Sequence, residues 1–528
     1  MRYLHVFTNA LLPLSCAALH NGAPSDNSMP PKRVAIIGAG AGGSSAAYHL
    51  SLDSTSSGHP TEITVYEREA HIGGRTTTVN AWNDPHTPIE LGGSIFVEVN
   101  HILVNASREF NLSIASEDRP KPADAPELGV WNGKEFVVIT SGGDGWWEKA
   151  KLLWRYGLAP IKVNSLMKST VGKFLQMYEE PMFPWQSLGD VVEKVGLLET
   201  TGKTGEQLLE ENGIGGLFAE EIVQASTRVN YAQNLPLIHG LETMVCMAAN
   251  GAMAVEGGNW KIFAHMIEKS GATLHLNTSV SQISKQFDGT YTVTTSSGKS
   301  ATYDEVILAA PLQFTSLVID PSPRHVPDEI PYVGLHVTLF ASPHKISPEA
   351  FGLKASELVP QFVLTTLPPN EKPGTDPNGA GSPGFFSISI VSGGLNPHST
   401  PSNRPETIYK IFSPHAIDSS FLSKILNVDV PDKEVEDDGP VTWIHHKLWH
   451  SYPYEYPRVT FEEIKLDDGL WYTSGIESFI STMETSALMG KNVARLVVEG
   501  WEGRRREEGQ VFEGLKEQMG QKPLKAKL

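Results

Sequence analysis

Cysteine is nearly absent from this chain: Cys16 and Cys246 are the only two among 528 residues. A disulfide scaffold, a Cys-x-x-Cys redox centre and a cysteine-built zinc site are thereby excluded. Positive charge is also scarce, with 42 Lys and Arg against 60 Asp and Glu and a net charge of -18. Proteins that track nucleic-acid phosphates rely on basic neutralisation, so nucleic acid is excluded as a partner. No apolar run long enough to cross a bilayer follows the N-terminal region, which removes the multi-pass membrane class. What is present is ordinary globular material, 40% hydrophobic and 19% charged, enough for about two to four domains.

The ends carry conflicting addresses. Residues 1–23 begin with Arg2, pass through the apolar stretch Val6 to Leu19, and offer Ser15, Cys16, Ala17 and Ala18 for cleavage, the anatomy of a signal peptide. Secretory entry, to the exterior, a lysosome or a vacuole, is the expectation. Sequons at Asn105, Asn111 and Asn277 suit it but are expected by chance at this composition. The terminal Ala526-Lys527-Leu528 is a conservative variant of a peroxisomal address, the alternative location. Residues 501–528 form a charge-dense tail, read as a solvated helix or mobile extension.

Between the ends the pattern changes several times. Val34-Ala-Ile-Ile37 reads as a strand, a glycine cluster follows, Ser44 to Leu52 is helical, and Glu62 to Tyr66 is a second strand ending at Glu67. From Trp146 to Tyr178 the composition is helical with Pro160 as an internal break, and further helices are expected to Asn234. From Thr273 short strands take over: Leu274 to Leu276, Val280 to Ile283, Tyr291 to Thr295, Tyr303 to Pro311, then Val333 to Ala341, Val359 to Leu367 and Phe385 to Ser392. Residues 370–384 are a Gly/Pro-rich surface loop. Leu470 to Thr473 is a strand, and Ser481 to Gly500 a helix.

Gly38-Ala-Gly40-Ala-Gly-Gly43 sits between that first strand and helix and fits G-x-G-x-x-G. Gly38 allows the tight turn, Gly40 lets backbone approach a pyrophosphate, and Gly43 lets the helix pack on the strand with its positive end toward the phosphates. Glu67 stands where an acid accepts ribose hydroxyls. No second such motif follows a strand, so a flavoprotein reduced by NADPH lacks its second nucleotide site.

Glu67, then Gly73-Gly74-Arg75, and later Glu90-Leu-Gly-Gly93-Ser94, resemble the FAD signature of the amine-oxidase-like flavoproteins. That resemblance implies Gly74 and Arg75 near the pyrophosphate, Gly93 and Ser94 lining the flavin, and backbone contact from Val280 at the adenine end. It also brings the start of the helix after Ser481 to the flavin pyrimidine. Ser481-Thr-Met-Glu484 reads as a capping box that defines this N-terminus, whose dipole would stabilise reduced flavin.

Val255-Glu-Gly-Gly-Asn259, Leu335 to Phe340, the Trp-Trp stretch after Trp146, and Gly475-Ile-Glu477 through Glu484 to Lys491-Asn492-Val493 are similar to the prenylcysteine oxidase (prenylcysteine lyase) family, in order over residues 32–500. Glu477 and Glu484 join the cofactor-binding set on this basis. The family implies a two-domain α/β protein: a discontinuous Rossmann-type FAD domain (32–105, 240–320, 446–500) and an α+β substrate domain with a helical part (106–239) and an antiparallel sheet (321–445). It implies FAD-dependent oxidation of a lipophilic prenylated thioether by dioxygen, giving cysteine, a prenyl aldehyde and hydrogen peroxide. An amine or other small-molecule oxidase or desaturase on the same scaffold, and a flavin- or lipid-binding protein without turnover, are the alternatives.

No catalytic residue is legible, and hydride transfer followed by water addition needs only positioning and one base. The aromatic stretch Trp443 to Tyr456, with His445, His446 and His450, reads as packing and surface turns, as a prenyl-facing wall or water-activating histidine, or, least of all, as a metal site. No metal is expected. Residues 146–173 combine aromatics with Lys149, Lys151, Arg155, Lys162, Lys168 and Lys173, and read either as packing or as a peripheral membrane contact.

Overall fold

The computed structural model describes residues 30–115, 125–141, 151, 153–372, 379–432 and 435–520, with side chains to 504. The leader 1–23, Ala526 to Leu528, Trp146 and Lys149 lie outside these residues.

Buried Val34, Ala35 and Ile36 make Lys32–Ile37 the centre of a six-stranded sheet. It pairs in parallel with Thr61–Tyr66 on one side and Glu305–Leu308 on the other; Thr273–His275, Leu470–Tyr472 and an antiparallel edge, Lys465–Asp467, complete the sheet. Its strands come from three separate stretches of chain. Burial on both faces explains why the central strands read as continuous apolar runs. Helix Ala41–Ser56 and the C-terminal helix Met483–Gly520 pack across the sheet, so closely that a Cβ on Gly490 would lie 2.2 Å from the Gly42 carbonyl oxygen.

A four-stranded sheet (Ser300–Tyr303, Tyr291–Thr295, Val280–Lys285, Val318–Asp320) stands beside the first. The second half is built on a seven-stranded sheet in the order Trp443–Pro453, Tyr332–Ser342, Arg404–Ser413, Ser387–Asn396, Phe362–Thr365, Leu128–Trp131, Phe136–Thr140. The hairpin 128–140 and the strand Arg404–Ser413 are additions to the sequence reading. The aromatic stretch from Trp443 is an edge strand pairing with Tyr332–Ser342, not a set of turns. Helices Ala159–Leu175, Gln224–Tyr231 and Gly240–Met247 bridge the halves. The helical stretch is interrupted at Gly157 and Leu158 as expected near Pro160, which sits in the opening turn of the helix that follows, where a missing N–H costs nothing. Buried Arg228 locks the helices to the large sheet, donating to Thr365 Oγ1, Asn234 Oδ1 and the Ala380 carbonyl at 2.7–2.9 Å. Among the described residues no helix is long and apolar enough to cross a membrane.

Candidate functional site

The glycine turn lies at the carboxyl end of the central strand, the usual place for a ligand in an open α/β sheet. Gly38 has φ of 109°, and a Cβ there would lie 2.8 Å from the Ala309 carbonyl oxygen. A Cβ on Gly43 would lie 1.9 Å from the Gly38 carbonyl oxygen, whereas at Gly40 it would meet nothing nearer than the Gly74 Cα at 3.9 Å. The first and third glycines thus shape the turn, and the second keeps one side of it open. No side chain caps the helix that begins at Ala41, so its first amide donors remain available for an anion.

Glu67 closes this site. Its carboxylate accepts from the Ala39 amide at 2.8 Å and the Glu69 amide at 2.9 Å, which fixes it under the turn. Thr278 donates its amide to the Glu67 carbonyl, bringing Val280, first residue of its strand, to the same end. Gly73 donates to the Ala39 carbonyl, and Gly40 and Gly73 form a parallel bridge. The uncapped helix, the open Gly40 face and the fixed acid fit a dinucleotide.

A second group of expected residues lies beyond Gly74. The Arg75 guanidinium bonds Glu477 Oε1 at 2.6 Å and the Ser451 carbonyl at 2.8 Å, while Tyr332 donates to Glu477 Oε2 at 3.1 Å. Glu477 therefore acts on Arg75, and both its oxygens are engaged by the protein. Gly93, at φ of 49°, is crowded by Thr76 and by Met483 Sδ, each within 3.0 Å of where a Cβ would be. The Asn259 side chain donates to the Gly93 carbonyl at 2.8 Å and accepts from the Val255 amide at 2.7 Å, giving Val255 to Asn259 a structural role: it holds this loop. Ser94 Oγ accepts from Lys410 Nζ at 3.0 Å. Lys410, buried on the interior strand Arg404–Ser413, also reaches the Glu90 carbonyl, and the sequence reading passed over it.

The expected capping box is not formed. The helix starts at Met483, and Thr482 caps it: the Thr485 amide donates to Thr482 Oγ1 while the Thr482 amide donates to Thr485 Oγ1. Glu484 turns away from its own helix. Its buried carboxylate accepts the Ile102 and Leu103 amides at 2.9 and 3.0 Å and the Tyr178 hydroxyl at 2.8 Å, capping helix His101–Glu109 instead. Burial raises its pKa to about 7 against the pull of those donors.

Beside Gly93 and Met483 opens an apolar cleft of about 150 Å³. Ile95, Phe96, Leu103, Val171, Phe174, Leu241, Met244 and Ile480 make its walls, with Tyr231 and Cys246 on one side and Thr482 to Thr485 at the base. No motif announced it, because its walls come from five separate segments of helix and loop. The histidines of the aromatic strand are elsewhere: His450 stacks on Phe314 at 4.4 Å, and His446 pairs with Thr338. At the start of the helix that contributes Val171 and Phe174, and in the segment just before it, Trp154 is 91% exposed, Leu158 63% and Ile161 58%, next to exposed Lys162.

Residues 140–510 match the family model described as prenylcysteine lyase, and residues 36–106 match an NAD(P)-binding Rossmann-like domain. A farnesylcysteine lyase of Arabidopsis thaliana is 31% identical over 504 residues, covering 92% of this chain and 91% of that protein. Prenylcysteine oxidase 1 of Rattus norvegicus is 29% identical over 527 residues, covering 93% and 94%. Among solved structures, cyclohexylamine oxidase from Brevibacterium oxydans aligns with a TM-score of 0.55 at 15% identity, over 90% of this chain and 100% of that one, which establishes a common fold. With the lyase model covering residues 140–510 and the plant relative aligned along 92% of it, the chain belongs to the prenylcysteine lyase family.

Proposed function

We propose that this protein is an FAD-dependent oxidase that cleaves a prenylcysteine, or a closely related prenylated thioether, to cysteine, a prenyl aldehyde and hydrogen peroxide. The observation that carries the reading is the apolar cleft beside Gly93 and Met483, at the end of the dinucleotide site remote from Glu67. FAD, when bound, supplies a hydride acceptor that dioxygen can reoxidise. Gly38, Gly40, Gly43 and the free amides after them would hold its pyrophosphate, Glu67 its ribose, and Gly93 with Ser94 its ring. The apolar walls would keep water from a prenyl chain and align the carbon next to sulfur. The acid that lines this cleft, Glu484, is committed to Ile102, Leu103 and Tyr178, so it presents no free carboxylate to an ammonium group.

The same reading includes peripheral contact with a lipid surface through Trp154, Leu158 and Ile161, since a prenylated substrate partitions into membranes and the helix behind these residues leads to the cleft. The purified protein should be yellow and release FAD on denaturation. Farnesylcysteine should bleach it anaerobically, and air should restore the colour with about one peroxide per aldehyde. Bleaching by NADPH, or faster bleaching by a primary amine than by the thioether, would sink the reading.

A further inference from the structure

Behind the Tyr231 side of the cleft lies a polar cluster that the proposed reaction has not used. His239, Glu242 and Glu455 are all wholly buried, and one ligand atom from each lies within 4.8 Å of the others. Neither Glu455 oxygen nor His239 Nε2 has a hydrogen-bond partner, and Glu242 faces the Tyr231 hydroxyl and the Ser481 amide. His239 caps helix Gly240–Met247 by accepting the Glu242 amide on Nδ1 at 3.0 Å. Nδ1 therefore bears no proton, and the neutral ring carries its proton on Nε2, directed at Glu455 Oε2 3.5 Å away.

That tautomer argues against a metal. A ligating histidine ordinarily donates its second ring N–H outward; here the second nitrogen is an acceptor, so ligation through Nε2 would require a ring stripped of both protons. A shared proton fits better. Two wholly buried carboxyls a few ångströms apart do not both ionise. The groups facing them are Tyr231 and Cys246 from the helices, with Tyr452 packed on Tyr231, Arg458 from the segment after Glu455, and Glu477 from the turn before the C-terminal helix. Arg458 is the cation among these and leaves charge for about one carboxylate, while burial holds both acids well above the ordinary carboxylate range.

The cluster communicates with the cleft. Tyr231 lines it, its hydroxyl donates to the Ser481 carbonyl at 3.2 Å, and its phenol oxygen lies beside Glu242. We infer that Glu242 and Glu455 hold one proton between them and exchange it through Tyr231, making the pair the proton store for the water that adds to the oxidised thioether. The inference rests on the oxidase reading above. Once hydride has left the carbon next to sulfur, a water oxygen bonds to that carbon and its released proton passes to the carboxylate. The remaining hydroxyl proton then leaves as the carbonyl forms, the carbon–sulfur electron pair goes to sulfur, and sulfur takes a proton from the store. One water is consumed, one thiol and one aldehyde appear, and one proton remains for the reduction of dioxygen to peroxide.

Two measurements on the flavin-loaded protein decide it. Infrared difference spectra between wild type and Glu242→Gln should show the carbonyl stretch of a buried protonated carboxylic acid in wild type alone. In anaerobic rapid-mixing experiments with farnesylcysteine, Glu242→Gln should leave flavin bleaching unchanged but slow thiol release by about a hundredfold and flatten its pH profile. A merely structural role would lower Tm without separating bleaching from thiol release. Thiol release that tracks bleaching in the variant, no protonated-acid band in wild type, or a stoichiometric divalent metal in the purified protein would each overturn the inference. If Glu242→Gln fails to fold, Glu455→Gln gives the same two readouts. Wild-type protein that farnesylcysteine does not bleach would refute the oxidase reading, and the infrared band would still report on the shared proton.

Discussion

The three glycines of the nucleotide turn look equivalent in sequence and are not equivalent in space. Gly43 and Gly38 face backbone at distances no side chain tolerates, whereas Gly40 faces an opening. Gly40→Val should therefore give a folded protein without flavin, its Tm equal to that of the stripped wild type. Gly43→Ala should lose about 2–3 kcal/mol of stability or more, because the Gly38 carbonyl must move. Chemical denaturation and flavin absorbance separate the two outcomes, and a yellow Gly40→Val protein would remove the pyrophosphate from this turn. Such residues were legible because a close backbone approach is written in residue type. Glu484 was not: Ser-x-x-Glu reads as a local box, but a buried carboxylate takes whichever amides the tertiary structure presents, and here those belong to Ile102 and Leu103. Glu242 and Glu455 were equally silent, since their partnership joins residues far apart in the chain.

At the scale of elements, the opening strand, helix and strand were readable because glycine punctuation and apolar runs agree there. The hairpin 128–140 escaped notice because its strands are short and lie within residues 106–239, which were assigned as a whole to helices. The edge strand Trp443–Pro453 was misread because one of its faces is exposed and rich in histidine and lysine, which looks like loop chemistry. Helix Ala159–Leu175 is the element whose two ends differ most in surroundings: Val171 and Phe174 face the cleft, while about 15 Å away along the axis the residues before and within its first turn expose Trp154, Leu158 and Ile161. Single exposed apolar residues are ordinary, but three together, one of them a tryptophan and all beside an exposed lysine, suit the interface of an anionic bilayer. The flavin-loaded protein should co-sediment with vesicles containing phosphatidylserine, and Trp154→Ser with Ile161→Ser should abolish this while leaving turnover of detergent-dispersed substrate unchanged. Equal sedimentation of wild type and double variant would remove the membrane role from this helix end.

For the whole molecule, the buried ionisable groups set a pH dependence whose sign can be worked out. Burial raises Glu484 to about 7 from 4.5, and Glu90, Glu242 and Glu455 move in the same direction for the same reason. Between 4.5 and those values the native state binds more protons than the unfolded chain, so stability present below 4.5 is lost as pH rises through about 7. Two buried histidines act oppositely: burial lowers His49 to about 4 and His239 to about 3 from 6.5, so their contribution is lost as pH falls below 6.5. The windows overlap between 4.5 and 6.5 and offset one another there; above 6.5 the carboxyl effect stands alone. Tm of the flavin-loaded protein at fixed FAD should therefore peak on the acid side of neutrality and fall by several degrees toward about pH 8. Glu484→Gln should flatten that decline, since a neutral amide has no proton to lose. A Tm that climbs from pH 6 to pH 8 would instead mean that these carboxyls are ionised in the native state, and with that the shared proton behind Tyr231 would lose its physical basis.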